Sequence, residues 1–313
     1  MRIAVDLMGS DSAIQVLYKG VEDAVAKLSS KAVVSLIGTE DAFQLLPQNS
    51  LPKFVAEETI TMTDSPLYSA RRKQNSSLMI GLRLLKEKKI DAFVTAGNTG
   101  ALIAGASISL PRIDSIERPA LLTLIPTKKK PMVTIDVGGN VFSSAKQLVQ
   151  FAFMGSAYQT FCNGIDNPRV GLLNIGIESM KGTDELRDAY RMLSEISTPH
   201  FSFVGNVEGR EVFQGDIDVL VTDGFVGNVF LKTAEGMSLF ILEAIQASLE
   251  VPQSLLEAFS YEEYPGALLC GVDGVVVKSH GKPSSETITK SILLSASLIE
   301  KEFVSKVTQI SWE

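Results

Sequence analysis

The sequence predicts an α/β protein built around parallel strands, and three observations carry that expectation. The chain opens as strand, helix, strand, with RIAVD at 2–6, a helical pattern ending near Leu28 and a second apolar run at 32–38. Strand-sized apolar runs then alternate with helical periodicities along most of the length. Five of those runs end in glycine-rich turns carrying Asn or Asp: FVTAGNTGA at 93–101, MVTIDVGGNV at 132–141, VGLLNIG at 170–176, FVGNVEG at 203–209 and VLVTDGFVGNV at 219–229. In open α/β sheets such loops lie side by side at the carboxyl ends of the strands, where free amides and helix N-termini favour an anion. Each loop taken singly also has a plain reading, in which glycine and asparagine only turn the chain.

The elements follow in order. The first strand leads through Gly9 into the first helix. A helix over 75–88 places Leu78, Leu82 and Leu85 on one stripe, and Lys86, Lys88 and Lys89 suit the negative end of its dipole. The strand at 90–95 ends in AGNTGA, which opens a small-residue helix at 100–110 able to lie close against the sheet. Runs at 119–125 and 132–137 flank a turn at 128–131 and read as a hairpin. Alternation then resumes with a helix at 146–162, a strand at 170–175, a helix at 183–196 and strands at 201–204 and 217–222. Between about 229 and 264 the pattern becomes a helical hairpin, broken near Val251 and Pro252. Leu249, Val251, Leu255, Leu256 and Phe259 make its tip apolar, either to fill the hairpin's own interface or to meet a partner surface. GVVVK at 274–278 supplies a further strand. With no fixed repeat or long linker, 1–313 reads as a single α/β unit, with length enough for two intertwined subdomains.

Composition narrows the class. A hydrophobic content of 45% with 21% charged residues is that of a soluble globular enzyme. A net charge of −7 argues against a general nucleic-acid binder, although Arg71, Arg72, Lys73 and Lys128, Lys129, Lys130 form local basic clusters. Cys162 and Cys270 sit in apolar stretches without metal-type spacing and read as small core residues. The first residues alternate like a strand and lack a signal pattern, and no apolar run approaches the bilayer-spanning length. A cytoplasmic protein is expected.

Among the loop residues, amides can donate to a phosphate oxygen or a developing oxyanion, whereas carboxylates repel it. Asn98, Asn140 and Asn228 are therefore the expected contacts, from a set that includes Asn174 and Asn206, while Asp136 and Asp223 are expected to orient or cap. Lys181 stands just ahead of a helix capped by Thr183, beside Gly182, and offers a point charge; the other reading is a solvated loop lysine. Arg210 either grips a phosphate or pairs with Glu208 or Glu211. His200 is expected to be structural, while His280, at a strand's carboxyl end, is placed to carry a proton. No Gly-x-Ser-x-Gly elbow is present, so the nucleophile is expected to come from a substrate.

Taken in order, MRIAVDLMGSD, RRKQNSS, AGNTGA, IERPAL, DVGGNV, LVQFAFMGS, GLLNIG with the following KG, GNVEGRE and VTDGFVGNVFLKTAEG closely resemble the signatures of the bacterial acyl-carrier-protein:phosphate acyltransferases, the PlsX family of phospholipid synthesis. The resemblance implies transfer of a fatty acyl group from the thioester of acyl carrier protein to inorganic phosphate. It implies a Rossmann-like α/β/α sandwich related to the isocitrate and isopropylmalate dehydrogenases, a homodimer, no cofactor or metal, and peripheral membrane contact. It also implies a functional link to a membrane acyl phosphate:glycerol-3-phosphate acyltransferase. Lys181, Asn228 and His280 are then expected to take the catalytic roles, with Asn98, Asn140 and Arg210 on phosphate. Three positions depart from the family pattern: Ser10 in MGSD, Phe142 after DVGGNV, and Lys282-Pro283 between His280-Gly281 and Ser284-Ser285. The serine pair is then expected to cap the next helix instead of touching substrate. Two rivals from other classes are an isocitrate-type NAD-dependent dehydrogenase, which needs a carboxylate cluster for metal, and a non-catalytic anion-binding protein.

Overall fold

The computed structural model describes residues 1–246 and 266–310. The chain forms two compact units, one from residues 1–119 and 265–309 and the other from 120–264 and 310–313.

In the first unit, β1 (Arg2–Asp6) is buried over nearly its whole length and pairs in parallel with β2 (Val33–Gly38), which in turn pairs with β3 (Lys53–Val55). On its other side β1 takes β4 (Ala92–Thr95), also in parallel. Helix α1 (Ile14–Leu28) buries Leu17, Tyr18, Val21, Ala24 and Leu28 on one face, as its spacing dictates. Short α2 (Glu40–Gln44) starts at Thr39, whose hydroxyl accepts the Ala42 N–H. The single helix expected over 75–88 is α4 (Ser77–Lys86), preceded by α3 (Pro66–Arg72) with proline in its first turn. Helix α5 (Thr99–Ser109) makes its close approaches to other helices instead of to the sheet. A side chain at Gly100 would strike Pro66, and one at Gly105 would strike Leu82 and Met79.

The second unit opens with the expected hairpin, β5 (Ala120–Ile125) antiparallel to β6 (Met132–Ile135). Helix α6 (Ala145–Asn163), entered through a Ser144/Gln147 capping box, leads to β7 (Arg169–Asn174). Helix α7 (Asp184–Glu195) leads to β8 (Ser202–Glu208), which runs four residues further than its apolar pattern suggests. The chain then returns to place β9 (Val219–Val221) between β6 and β7, parallel to both, giving the order β5-β6-β9-β7-β8. Helix α8 (Gly224–Gln246) follows directly. Gly155 of α6 lies over Val219 and Ile135, whereas Phe230 and Leu231 of α8 pack with Met132 and Leu220. Because Val219 and Leu220 point to opposite faces of the strand, α6 and α8 cover opposite faces of this sheet. Helix α7 packs against α6, on the face opposite α8, so the loops after β7 and β9 leave to opposite faces and a switch point falls between these two strands.

The chain then rejoins the first unit. Strand β10 (Ala267–Cys270) is antiparallel to β11 (Val275–Lys278), which lies parallel to β4, so this sheet is mixed in the order β3-β2-β1-β4-β11-β10. Helix α9 (Ser285–Glu300) is capped by Ser284, whose hydroxyl accepts the Thr287 N–H at 3.2 Å, and a short α10 (Phe303–Thr308) follows. A side chain at Gly20 of α1 would run into Ser285 and Ile288, so glycine is what lets α1 and α9 pack closely.

One expectation is corrected by α8. It is long and apolar enough, by length and composition, to cross a membrane, and little of it is buried. Lys232 and Glu235 break its apolar run in the sequence, but their ion pair at i, i+3 holds both heads on one side. The apolar tip at Leu249, Val251, Leu255, Leu256 and Phe259 lies outside the described residues.

Candidate active site

At the carboxyl edge of the second unit, the buried carboxylate of Asp136 organises the DVGGN loop. Its Oδ1 accepts the N–H groups of Leu121 (2.9 Å), Gly138 (3.2 Å) and Gly139 (2.8 Å). Its Oδ2 accepts the Asn140 N–H (2.7 Å) and the Asn140 Nδ2 (2.9 Å). Burial raises the carboxyl above its ordinary range, while these donors act in the opposite sense. The N-terminus of α8 closes on this loop, because the Gly224 N–H donates to the Asn140 carbonyl at 2.8 Å. A side chain at Gly224 or Gly227 would collide with Asn140 or with the Asp136 carbonyl, respectively. Asp223 caps the helix, its Oδ1 accepting the Val226 N–H at 2.9 Å. Asn228 is exposed at the start of the second turn, with its amide beside Gly138, and its side chain bonds to no described residue.

The loop after β7 stands on the other side of the switch point. Asn174 ends the strand, the Lys181 N–H closes a turn on the Glu178 carbonyl (3.1 Å), and Thr183 caps α7. The stem of Lys181 runs over Gly176, and its exposed ammonium makes no hydrogen bond or ion pair with a described residue. Lys181, on the loop after β7, and Asn228, near the start of α8, thus carry polar heads engaged by no described residue on the two sides of the switch point, where α/β sheets hold ligands.

In the first unit, Asp6, Thr95 and Lys278 are strand partners at the carboxyl ends of β1, β4 and β11. The Thr95 hydroxyl donates to Asp6 Oδ2 (2.9 Å) and accepts the Gly97 N–H (3.0 Å), and the Met8 N–H donates to Asp6 Oδ1 (3.0 Å). Buried Lys278 donates to the carbonyls of Ala96 and Ser279. Burial pushes the Asp6 carboxyl up to about 6, against its hydrogen bonds and the charge of Lys278. This cluster roots the loops that carry Gly9, Asn98 and His280.

The candidate residues are divided between the units: Asn98 and His280 belong to the first, and Asn140, Lys181, Arg210 and Asn228 to the second. Asn98 is turned inward. Its Oδ1 caps α5 at the Ala101 N–H (3.0 Å), and its Nδ2 donates to the carbonyls of Thr61, Met62 and Asp64. Asn140 is likewise turned onto Asp136. Arg210 pairs with Glu208 at 2.8 Å with its side chain largely exposed. His280 is half-buried two residues beyond β11, and His200 packs edge-on against Phe153. Sequence reasoning missed Asp6, Thr95 and Lys278. Their signal is a lone polar residue closing a buried apolar run. Among the described residues, no three His, Cys, Asp or Glu side chains gather into a set able to hold a metal ion.

The chain has an α/β fold with mixed sheet pairing, of the kind found in phosphotransacylases. Solved structures that share the fold include a phosphotransacetylase from Streptococcus pyogenes (TM-score 0.65, 16% identity, 96% of this chain and 94% of that one). Another is a branched-chain phosphotransacylase from Enterococcus faecalis (TM-score 0.63, 14% identity, 96% and 100%). The chain belongs to the family described as fatty acid synthesis protein, which matches residues 1–306. It is similar to proteins named phosphate acyltransferase from Halothermothrix orenii (39% identical, 99% of this chain and 98% of that protein) and Chlamydia pneumoniae (38%, 98% and 98%).

Proposed function

We propose that this chain is an enzyme, an acyltransferase that moves a fatty acyl group from the thioester of acyl carrier protein to inorganic phosphate. The observation that carries the reading is the match, along almost the whole chain, to relatives named phosphate acyltransferase. The geometry suits it: a lysine and an amide flank a switch point, and phosphate, as the nucleophile, needs positioning more than activation. Lys181 holds the anion and Asn228 donates to phosphate or to the thioester oxyanion. A phosphate oxygen attacks the thioester carbonyl, the tetrahedral intermediate collapses, and the thiolate leaves and takes a proton. His280 is the candidate proton carrier. Asn98 and Asn140 act on the anion through the loops they shape, and Arg210 must exchange Glu208 for phosphate to touch it.

The proposal extends to one acyl phosphate synthase domain over 1–313, on a Rossmann-like α/β/α sandwich of the isocitrate dehydrogenase type with a projecting helical hairpin. It extends also to a cytoplasmic homodimer with peripheral membrane contact, whose product feeds a membrane acyl phosphate:glycerol-3-phosphate acyltransferase. Exposed Met237, Phe240 and Ile241, spaced i, i+3, i+4 on α8, support a second copy there. The test is to incubate the chain with acyl carrier thioester, with and without phosphate, and follow free carrier thiol. Thiol release that depends on phosphate is expected; release indifferent to phosphate, or none, would reject the activity.

A further inference from the structure

We infer that Asn174 and Asn206 are positioning residues that act through Lys181: two amide donors rising from the sheet fix the turn that presents the lysine. The inference deepens the proposed function and rests on its reading of Lys181.

Asn174 is the last residue of β7 and Asn206 lies on β8, and the two strands run parallel with Leu172 opposite Asn206 and Asn174 opposite Glu208. Asn174 Nδ2 donates to the Lys181 carbonyl at 3.1 Å, and Asn206 Nδ2 donates to the Glu178 carbonyl at 2.8 Å. These are the first and last residues of the turn that the Lys181 N–H closes on the Glu178 carbonyl. Both ends of the turn are therefore held by side chains anchored in strands, which position a group more firmly than a free loop does. Asn174 is further locked because its Oδ1 accepts the Ile175 N–H at 2.8 Å. The chain beyond Lys181 folds down onto this amide. Gly182 has φ +88°, and a Cβ there would stand 2.7 Å from Asn174 Oδ1, so both conformation and space require glycine.

Asn206 carries a second sign. It is only 6% exposed, yet its Oδ1 has no hydrogen-bond partner among the described residues. An unpaired buried acceptor lowers stability, and Asn is disfavoured in strands, so an apolar residue here would suit the fold better. What an apolar residue cannot supply is the donor to Glu178. Asn206 is thus present for where it holds the turn.

The test is a double-mutant cycle in the full-length chain, with turnover measured by phosphate-dependent thiol release and stability by thermal unfolding. Asn206→Leu is expected to keep or raise the melting temperature while lowering turnover at least tenfold, a combination that a merely structural role would not give. If the leucine variant does not fold, Asn206→Ala answers the same question, with a tenfold loss expected. Asn174→Ala is expected to lower turnover similarly. In a Lys181→Ala background, each change should cost little more, because the group it positions is gone. Full activity of the Asn206 variants, or losses that multiply unchanged with that of Lys181→Ala, would overturn the clamp. Near-normal turnover of Lys181→Ala alone would overturn the reading of the lysine, and the clamp's role with it.

Discussion

The buried carboxyl of Asp6 gives a quantitative test of the first unit's edge. Its folded value of about 6 stands about 2 units above the ordinary 3.8, raised by burial against the donors from Met8, Ser77 and Thr95 and the charge of Lys278. Below pH 3.8 the group is protonated in both folded and unfolded chains and contributes nothing. Between 3.8 and 6 the unfolded chain loses the proton first, so stability falls as pH rises, and above 6 the full penalty is in place. At about 1.36 kcal/mol per unit the penalty is about 3 kcal/mol. Carboxylates such as Asp64 and Asp91, lowered by Lys73 and Arg2, trend the other way, so the wild-type curve alone does not isolate Asp6. Asp6→Asn removes the titration. Whatever constant offset its altered hydrogen bonds bring, its stability relative to wild type should improve by about 3 kcal/mol between pH 3.5 and pH 7.5. Urea unfolding of both proteins across that range reads the difference. A flat difference curve would mean that Asp6 ionises in the fold as it does in water, and would refute the argument from burial.

Two further predictions concern the second unit. Alanine at Gly227 puts a Cβ 1.9 Å from the Asp136 carbonyl and should destabilise the fold by about 3 kcal/mol or more. At exposed Gly236, further along α8, no described residue lies within 4 Å of an added Cβ, and alanine should stabilise by roughly 1 kcal/mol; equal effects in thermal unfolding would contradict the packing described. Lys181→Ala and Asn228→Ala should each fold normally and lose turnover by roughly 10²- to 10³-fold, the usual effect of removing one oxyanion donor. Steady-state kinetics alongside circular dichroism decides, and near-normal rates in both would remove them from the site.

Much of the framework was legible because it rests on local physics. The buried strands β1, β4, β6, β7 and β9 show as apolar runs, and Ser284 and Thr183 show as caps before helical stretches. Short α2, α3 and β3 carry no apolar stripe and left no periodic signal. The insertion of β9 between β6 and β7 is a non-local pairing that no local pattern encodes, yet it creates the switch point. Residue type marked the loop asparagines as amide donors but could not give their direction. Asn98 and Asn140 turn inward because carbonyls and a buried carboxylate wait there, whereas Asn228 sits on an exposed helical turn. Asp6 and Lys278 matter through strand register, which appears only when β1, β4 and β11 align.

In the proposed reaction phosphate itself attacks the thioester, without help from a nucleophile of the chain. The direct measurement is a rapid-quench experiment on the first turnover with acyl carrier thioester and phosphate, reading acyl phosphate, free carrier thiol and the intact mass of the protein. Acyl phosphate and thiol should appear together in equal amounts while the protein's mass stays unchanged, and a chain with both Cys162 and Cys270 changed to Ala should behave alike. An acylated protein that forms and decays at the rate of turnover would contradict the account.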